Sequence, residues 1–201
     1  MSGILHGLDM FHLAILTEDT RAAINYEAPE ALPGAVNVSV KPNAESESFY
    51  ADNGAFDVFN SLGDIDVSME VASLPLSVQK KIYGHKEENG VLFDSIEDKI
   101  ENLALGFRAK LSTGGYRYYW LLKGKPQLLE SEHQTDEGKT TPQPAKVALK
   151  FMPLQHNGRW RGKAEDGTTF TEGGKWFNKV VYEGAALTEP TGGTGVGGDG
   201  A

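Results

Sequence analysis

Three carboxylates, Asp64, Asp66 and Glu70, are the residues of this chain best spaced for chemistry. On one face of an extended strand Asp64 and Asp66 would lie roughly 7 Å apart, close enough to share a hard cation. Such a cation needs further oxygen ligands, and the sequence offers none beyond Glu70. The alternatives are a plain solvated strand face and an acidic surface built to be wetted. The remaining motifs are weaker. Gly193-Thr194-Gly195-Val196-Gly197-Gly198 has the spacing of a dinucleotide loop, but the chain given stops three residues later and supplies no following helix. Gly138-Lys139-Thr140 resembles the end of a phosphate loop, yet His133 stands where its first glycine belongs. Ser77 and Lys80 have the S-x-x-K spacing of a serine acyl-transfer enzyme without the accompanying motifs. The five histidines, His6, His12, His85, His133 and His156, are scattered with no ligand spacing. Asn37-Val38-Ser39 is a glycosylation acceptor only in a secreted protein. No nucleophile, base and oxyanion donor stand together, so the sequence reads as a non-enzyme with no cofactor and no metal.

Composition narrows the classes further. Nineteen Lys and Arg against 28 Asp and Glu give a formal charge of −9, which argues against ordinary nucleic-acid binding. A surface that lets DNA pass without gripping it stays compatible. Cysteine is absent, which excludes disulfides, thiol catalysis and thiolate zinc sites. Residues 1–10 lack a basic region and a long apolar run, so no signal peptide is expected. No stretch approaches the roughly 18 apolar residues of a membrane-spanning helix.

The carboxylates are positioned by a strand of period two. Ile65, Val67, Met69 and Val71 fall on one face, and Asp64, Asp66, Ser68 and Glu70 on the other. Further strands are expected at 11–16 and 36–40, and a hairpin at 103–111 and 116–122 turning at Thr113-Gly114-Gly115. A second hairpin is expected at 146–154 and 159–163, turning at His156-Asn157-Gly158. Thr17-Glu18-Asp19-Thr20 reads as a cap for a helical turn into Ala22-Ala23-Ile24. Pro75 opens a short helix bearing Leu76, Val78, Ile82 and Tyr83, and Gly84 ends it. Residues 41–61 read as a long polar loop holding Phe49, Tyr50, Phe56 and Phe59, more aromatics than a disordered linker carries. Arg159, Arg161 and Lys163 alternate along one strand and offer a basic face to an acidic neighbour, with a solvated face as the alternative. The expected architecture is mainly β, an antiparallel sandwich or barrel with one short flanking α-helix. It occupies residues 1–183, and a glycine-rich flexible tail follows at 184–201.

An ordered set of short segments resembles the major tail protein of siphophages, the tail-tube subunit of long non-contractile-tailed bacteriophages. The set runs through Thr17-Glu18-Asp19-Thr20, Pro33-Gly34-Ala35-Val36, Phe49-Tyr50-Ala51-Asp52-Asn53-Gly54 and Leu62-Gly63-Asp64-Ile65. It continues with Leu74-Pro75-Leu76, Gly84-His85, Ala104-Leu105-Gly106-Phe107 and Tyr116-Arg117-Tyr118-Tyr119-Trp120-Leu121-Leu122-Lys123-Gly124-Lys125. Gln134-Thr135 and Trp176-Phe177 close the series. The resemblance implies a tail-tube β-sandwich that assembles with itself as hexameric rings stacked into a hollow tube, with the 41–61 loop reaching the next ring. The implied partners are a tape-measure protein, tail initiator or distal tail and tail terminator proteins, and double-stranded DNA in transit, with no membrane. The implied location is a virion tail assembled in the bacterial cytoplasm. On this basis Asp64, Asp66 and Glu70, with Glu45 and Glu47, are expected to face the channel. Phe49, Tyr50, Phe56 and Phe59 are expected between rings, and Arg159, Arg161 and Lys163 at a subunit interface. The rival classes are a small-molecule-binding β-sandwich and a carboxylate enzyme using a cation.

Overall fold

The computed structural model describes residues 3–51, 54–129 and 143–185. Eleven strands and one α-helix follow one another among these residues. They are β1 (Leu5–Asp19), β2 (Ile24–Tyr26), β3 (Glu30–Leu32), β4 (Ala35–Ala51), β5 (Gly54–Val71), α1 (Leu76–Tyr83), β6 (Lys86–Glu88) and β7 (Val91–Phe93), then β8 (Leu103–Leu111), β9 (Tyr116–Pro126), β10 (Ala145–Phe151) and β11 (Arg161–Glu165). The fold is mainly antiparallel β with a short helix, as the sequence predicts.

Nine strands form one antiparallel sheet in the order β2-β1-β8-β9-β10-β5-β4, with β3 on β1 and β11 on β9. The sheet forks along β9. Residues 124–126 of β9 pair with β10, whereas residues 117–121 pair with β11. Beyond the fork the two halves face each other across a shared core. Ile65, Val67 and Met69 of β5 and Val147, Leu149 and Phe151 of β10 meet Phe11 and Leu13 of β1 and Leu103, Leu105 and Leu121 of β8 and β9. The opposite face of the β1-β8-β9 half carries a second core, where Trp120, Leu122 and Ala104 lie beneath Trp176 and Val180 of the C-terminal segment. Covering on both faces explains why Phe11 to Leu16 is buried at every position rather than at alternate ones.

Helix α1 rests on the first core through Val78, Ile82 and Tyr83, while Leu76 stays 59% exposed. Gly84 ends it with φ of 74°, a conformation that favours glycine, and its N–H closes onto the Lys80 carbonyl. At eight residues the helix depends on this packing.

Three expected elements differ. Residues 41–61 are not a loop: they belong to β4 and β5, which pair from Ala35↔Val71 out to Ala51↔Gly54. Both faces of this outer ladder are wet, and a bulge sets its alternation out of phase with that of Ile65 to Val71, so the sequence shows no continuous strand there. No helical turn follows Thr20. Its N–H and hydroxyl donate to the Ala23 carbonyl at 2.9 and 3.2 Å, and the chain turns back into β2. Pairing of β2 with β1 wins over the cap. Finally, β10 and β11 do not form a hairpin. The turn exists, with Gly158 N–H on the Leu154 carbonyl, but Met152-Pro153 ends the ladder and β11 pairs with β9. A small β6–β7 hairpin adds to the expected elements, turning at Asn89-Gly90 between two short runs.

Candidate assembly surfaces

Strand β10 pairs with β5 only from Ile65 to Val71. Residues 42–51 and 54–64 therefore leave the sheet as a two-stranded arm, paired only with each other among the described residues. Pairing steps from Pro42↔Ile65 to Ala44↔Leu62, which inserts one additional residue into β5. The bulge returns Leu62 to the face that carries Ile65 and Val67. From there Leu62, Asn60, Val58 and Phe56 continue that apolar face outward, and Asn60 accepts a 2.6 Å hydrogen bond from Ser46. The stripe is exposed: Leu62 by 43%, Val58 by 50% and Phe56 by 73%. Phe59, 60% exposed, points to the other face with Asp57 and Glu45. Glu47, Phe49 and Tyr50 lie on β4 opposite Phe59, Asp57 and Ala55, and their side chains fall outside what the structure describes. Asp52-Asn53-Gly54, which stands between the two strands in the sequence, is the turn signal that discloses the arm.

The acidic face of β5 is as the alternation predicts, with Asp64 and Asp66 exposed and Glu70 half-buried. It is not unaccompanied. Register sets Lys41 and Lys150 beside Asp66, and Asn37 and Lys146 beside Glu70. Lys150 Nζ stands 3.6 Å from both the Asp64 and Asp66 carboxylates, occupying the position a shared cation would take. The Asn43 amide donates to Asp66 at 2.9 Å and, with Lys150, holds that carboxyl below its ordinary value. Glu45 continues this face onto the arm, opposite Ser61.

The three basic candidates are separated. Arg159 precedes β11 and pairs with Glu183 at 2.7 Å. Arg161 and Lys163 lie in β11 opposite Leu121 and Tyr119, on the side of the sheet that faces the first core. The Arg161 guanidinium sits 4.2 Å over the Trp160 ring. Nearby, Arg117 is held by Glu165 at 2.6 Å.

The other motifs do not converge. Lys80 pairs with Glu87 rather than with Ser77. His12 stacks on Phe177 at 4.3 Å, and His85 bridges Asp98 at 2.7 Å and Asp94 at 3.4 Å. His133, Gly138-Lys139-Thr140 and the 193–198 glycine motif fall outside the described residues. Among the described residues no group of three or more His, Asp or Glu side chains is placed to hold a metal ion, and no helix is long and apolar enough to cross a membrane.

No protein-family model and no curated protein matches this chain. Solved structures to which this chain shows some similarity include a chain from the cryo-EM structure of the anti-feeding prophage cap, the tube terminating cap. It is 11% identical over 78% of this chain and 88% of that one, with a TM-score of 0.43. Another is a chain from the 6-fold symmetrised anti-feeding prophage baseplate, 12% identical over 85% of this chain and 99% of that one, with a TM-score of 0.36.

Proposed function

We propose that this chain is a structural subunit that polymerises through its β-arm into the tail tube of a long non-contractile-tailed bacteriophage. The observation that carries this reading is the arm itself, a hairpin that extends beyond its sheet and exposes Val58, Phe59 and Leu62. An exposed apolar β-ladder with open edges is an aggregation hazard in a monomer and a contact surface in an assembly. Burying the exposed half of each of these side chains against a neighbour contributes about 1 kcal/mol. Because the arm is already paired as a hairpin, binding spends less on ordering it than a loop of equal length would require. The resemblance of the ordered segments to siphophage major tail proteins supports the same role. On this reading the subunit assembles with itself as stacked hexameric rings and meets a tape-measure protein, a tail initiator and a tail terminator. Double-stranded DNA passes through the channel without specific binding.

The test is electron microscopy of the concentrated protein, alone and with its tail initiator complex. The wild type is expected to form rings or hollow tubes in at least one sample. The Phe56→Ala/Phe59→Ala variant is expected to keep its circular dichroism spectrum and to form no tubes. Monomers from the wild type in both samples, or normal tubes from the variant, overturn the proposal.

A further inference from the structure

The dipeptide Asn-Gly occurs three times, at 53–54, 89–90 and 157–158. It is the pair best suited to spontaneous backbone chemistry, because no Cβ shields the glycine nitrogen from the asparagine amide carbon. Reaction has two local conditions: the glycine N–H must be free, and the asparagine must be able to leave its turn. Asn53 lies outside the described residues, and the structure separates the other two sites on these conditions. Asn89 and Gly90 are the two-residue turn of the β6–β7 hairpin, with φ of 53° and 80°. Positive values at both positions belong to a type I′ turn. Both residues are exposed, and the space around Gly90 is open. Among the described residues, neither the Gly90 N–H nor the Asn89 side-chain amide makes a hydrogen bond. The hairpin has three residue pairs and joins no other strand among the described residues. A two-stranded ladder of that size is marginal in water, so it opens at small cost and lets Asn89 turn toward Gly90.

Asn157 is held in the opposite way. The Gly158 N–H donates to the Leu154 carbonyl at 2.9 Å, so the nucleophile is engaged. The Asn157 side-chain oxygen accepts from the Arg159 N–H at 3.0 Å, which fixes the carbon to be attacked, and its Nδ2 is buried. The residues just before it are fastened too, since Asp19 accepts from the Gln155 and His156 N–H groups at 2.9 and 3.0 Å.

We propose that Asn89 is a site of spontaneous deamidation, which inserts an isoaspartyl linkage at the tip of the β6–β7 hairpin. The deprotonated Gly90 nitrogen bonds to Asn89 Cγ, the Cγ–Nδ2 bond breaks, and ammonia leaves from a five-membered imide. Water then opens the ring. Attack at Cγ restores the ordinary backbone as aspartate, whereas attack at the main-chain carbonyl routes the backbone through Cγ as isoaspartate. In sum one water is consumed, one ammonia is released, and the new carboxylic acid passes its proton to the ammonia. Isoaspartate lengthens a two-residue turn by one backbone atom, so Glu88 can no longer stay opposite Val91. Its carboxylate also joins those of Glu87 and Glu88. The hairpin is tied to the body by Lys80–Glu87 at 2.9 Å and His85–Asp94 at 3.4 Å. Loss of register loosens these ties and leaves the large sheet intact. The chemistry needs no partner, so it stands or falls apart from the tail-tube role.

The test is to age the full-length protein in mildly alkaline buffer, where more of the glycine amide is ionised, and to map its tryptic peptides by mass spectrometry. Isoaspartate is read separately by enzymatic methylation from S-adenosylmethionine. Asn89 is expected to convert at least about tenfold faster than Asn157, because two hydrogen bonds at the latter must open first. Unfolding in urea should bring the two rates together, since the fold and not the dipeptide separates them. Asn89→Gln, whose longer amide closes a larger ring far more slowly, should show no isoaspartate in the 87–99 peptide. Limited trypsin should cut the aged protein faster after Lys86 while its circular dichroism spectrum is kept. Equal rates in the folded protein, or rates that stay apart in urea, overturn the inference. So does aspartate without isoaspartate, which marks direct hydrolysis rather than ring opening. Isoaspartate persisting in the Asn89→Gln peptide would come from Asp94 or Asp98 and overturns the assignment to Asn89. Unchanged cleavage after Lys86 rejects the loss of register.

Discussion

The Asp19 carboxylate is 5% exposed and fully engaged. It accepts hydrogen bonds from Lys123 Nζ at 2.6 Å, Gln155 N–H at 2.9 Å and His156 N–H at 3.0 Å. Burial pushes this carboxyl up, but the Gln155, Lys123 and His156 donors outweigh burial and hold it below its ordinary value. One side chain thus fastens the β1–β2 turn to the turn that leads into β11. Asp19→Ala leaves the Lys123 ammonium and two backbone donors without their acceptor and should cost about 3 kcal/mol at neutral pH. A carboxyl depressed in the folded state stabilises fully above its unfolded value, about 4, and loses that contribution as pH falls through the folded value. Thermal melts of the wild type and of Asp19→Asn should therefore differ most near pH 7 and converge as pH falls through the lowered folded value. A gap that widens on acidification would contradict the assignment. The sequence shows Asp19 only as one member of a polar turn, because its partners lie more than a hundred residues away.

Among the elements, β9 sets the architecture, and its turning point is Gly124. That residue pairs with Leu103 on one side and Phe151 on the other, where β10 gives way to β11 as the neighbour of β9. A methyl group on Gly124 would come within 2.6 Å of the fully buried Phe151 ring. Gly124→Ala should destabilise by about 2 kcal/mol through overpacking, read as a lower denaturant midpoint with an unchanged slope. A midpoint equal to the wild type would show that the ring yields freely. Elements with a local marker are legible in the sequence: the Ile65-Val67-Met69-Val71 alternation, the Pro75 and Gly84 ends of α1 and the Gly114-Gly115 turn of the β8–β9 hairpin all follow from local spacing. The arm is not, since both its faces meet solvent and the bulge puts its Phe56-Val58-Leu62 stripe out of phase with the Ile65-Val67-Met69 alternation. The partner of β11 was hidden for a different reason. Its turn is local, but which strand it joins is decided by the fork in a distant one.

At the scale of the whole molecule, the formal charge of −9 is unevenly spread. The stretch without bases between Lys41 and Lys80 spans the arm, the rest of β5 and the start of α1, and the outer face of β5 stands near balance because Lys41, Lys146 and Lys150 flank Asp64, Asp66 and Glu70. The proposed channel wall is therefore mixed in sign rather than uniformly acidic. Repeated around a ring, such a wall neither binds a phosphate backbone strongly nor repels it far beyond the roughly 8 Å Debye length at physiological salt. Passage of DNA would then depend on the acids masking the lysines. Asp64→Lys/Asp66→Lys removes that masking and leaves five lysines on this face of each subunit, which should hold DNA phosphates by counterion release. Particles carrying the variant should assemble normally and eject DNA more slowly, with the deficit shrinking as salt rises. Release rates measured at low and high ionic strength check this. An unchanged rate at both would place the face away from the channel, and a slow rate independent of salt would point to a distorted wall rather than to its charge.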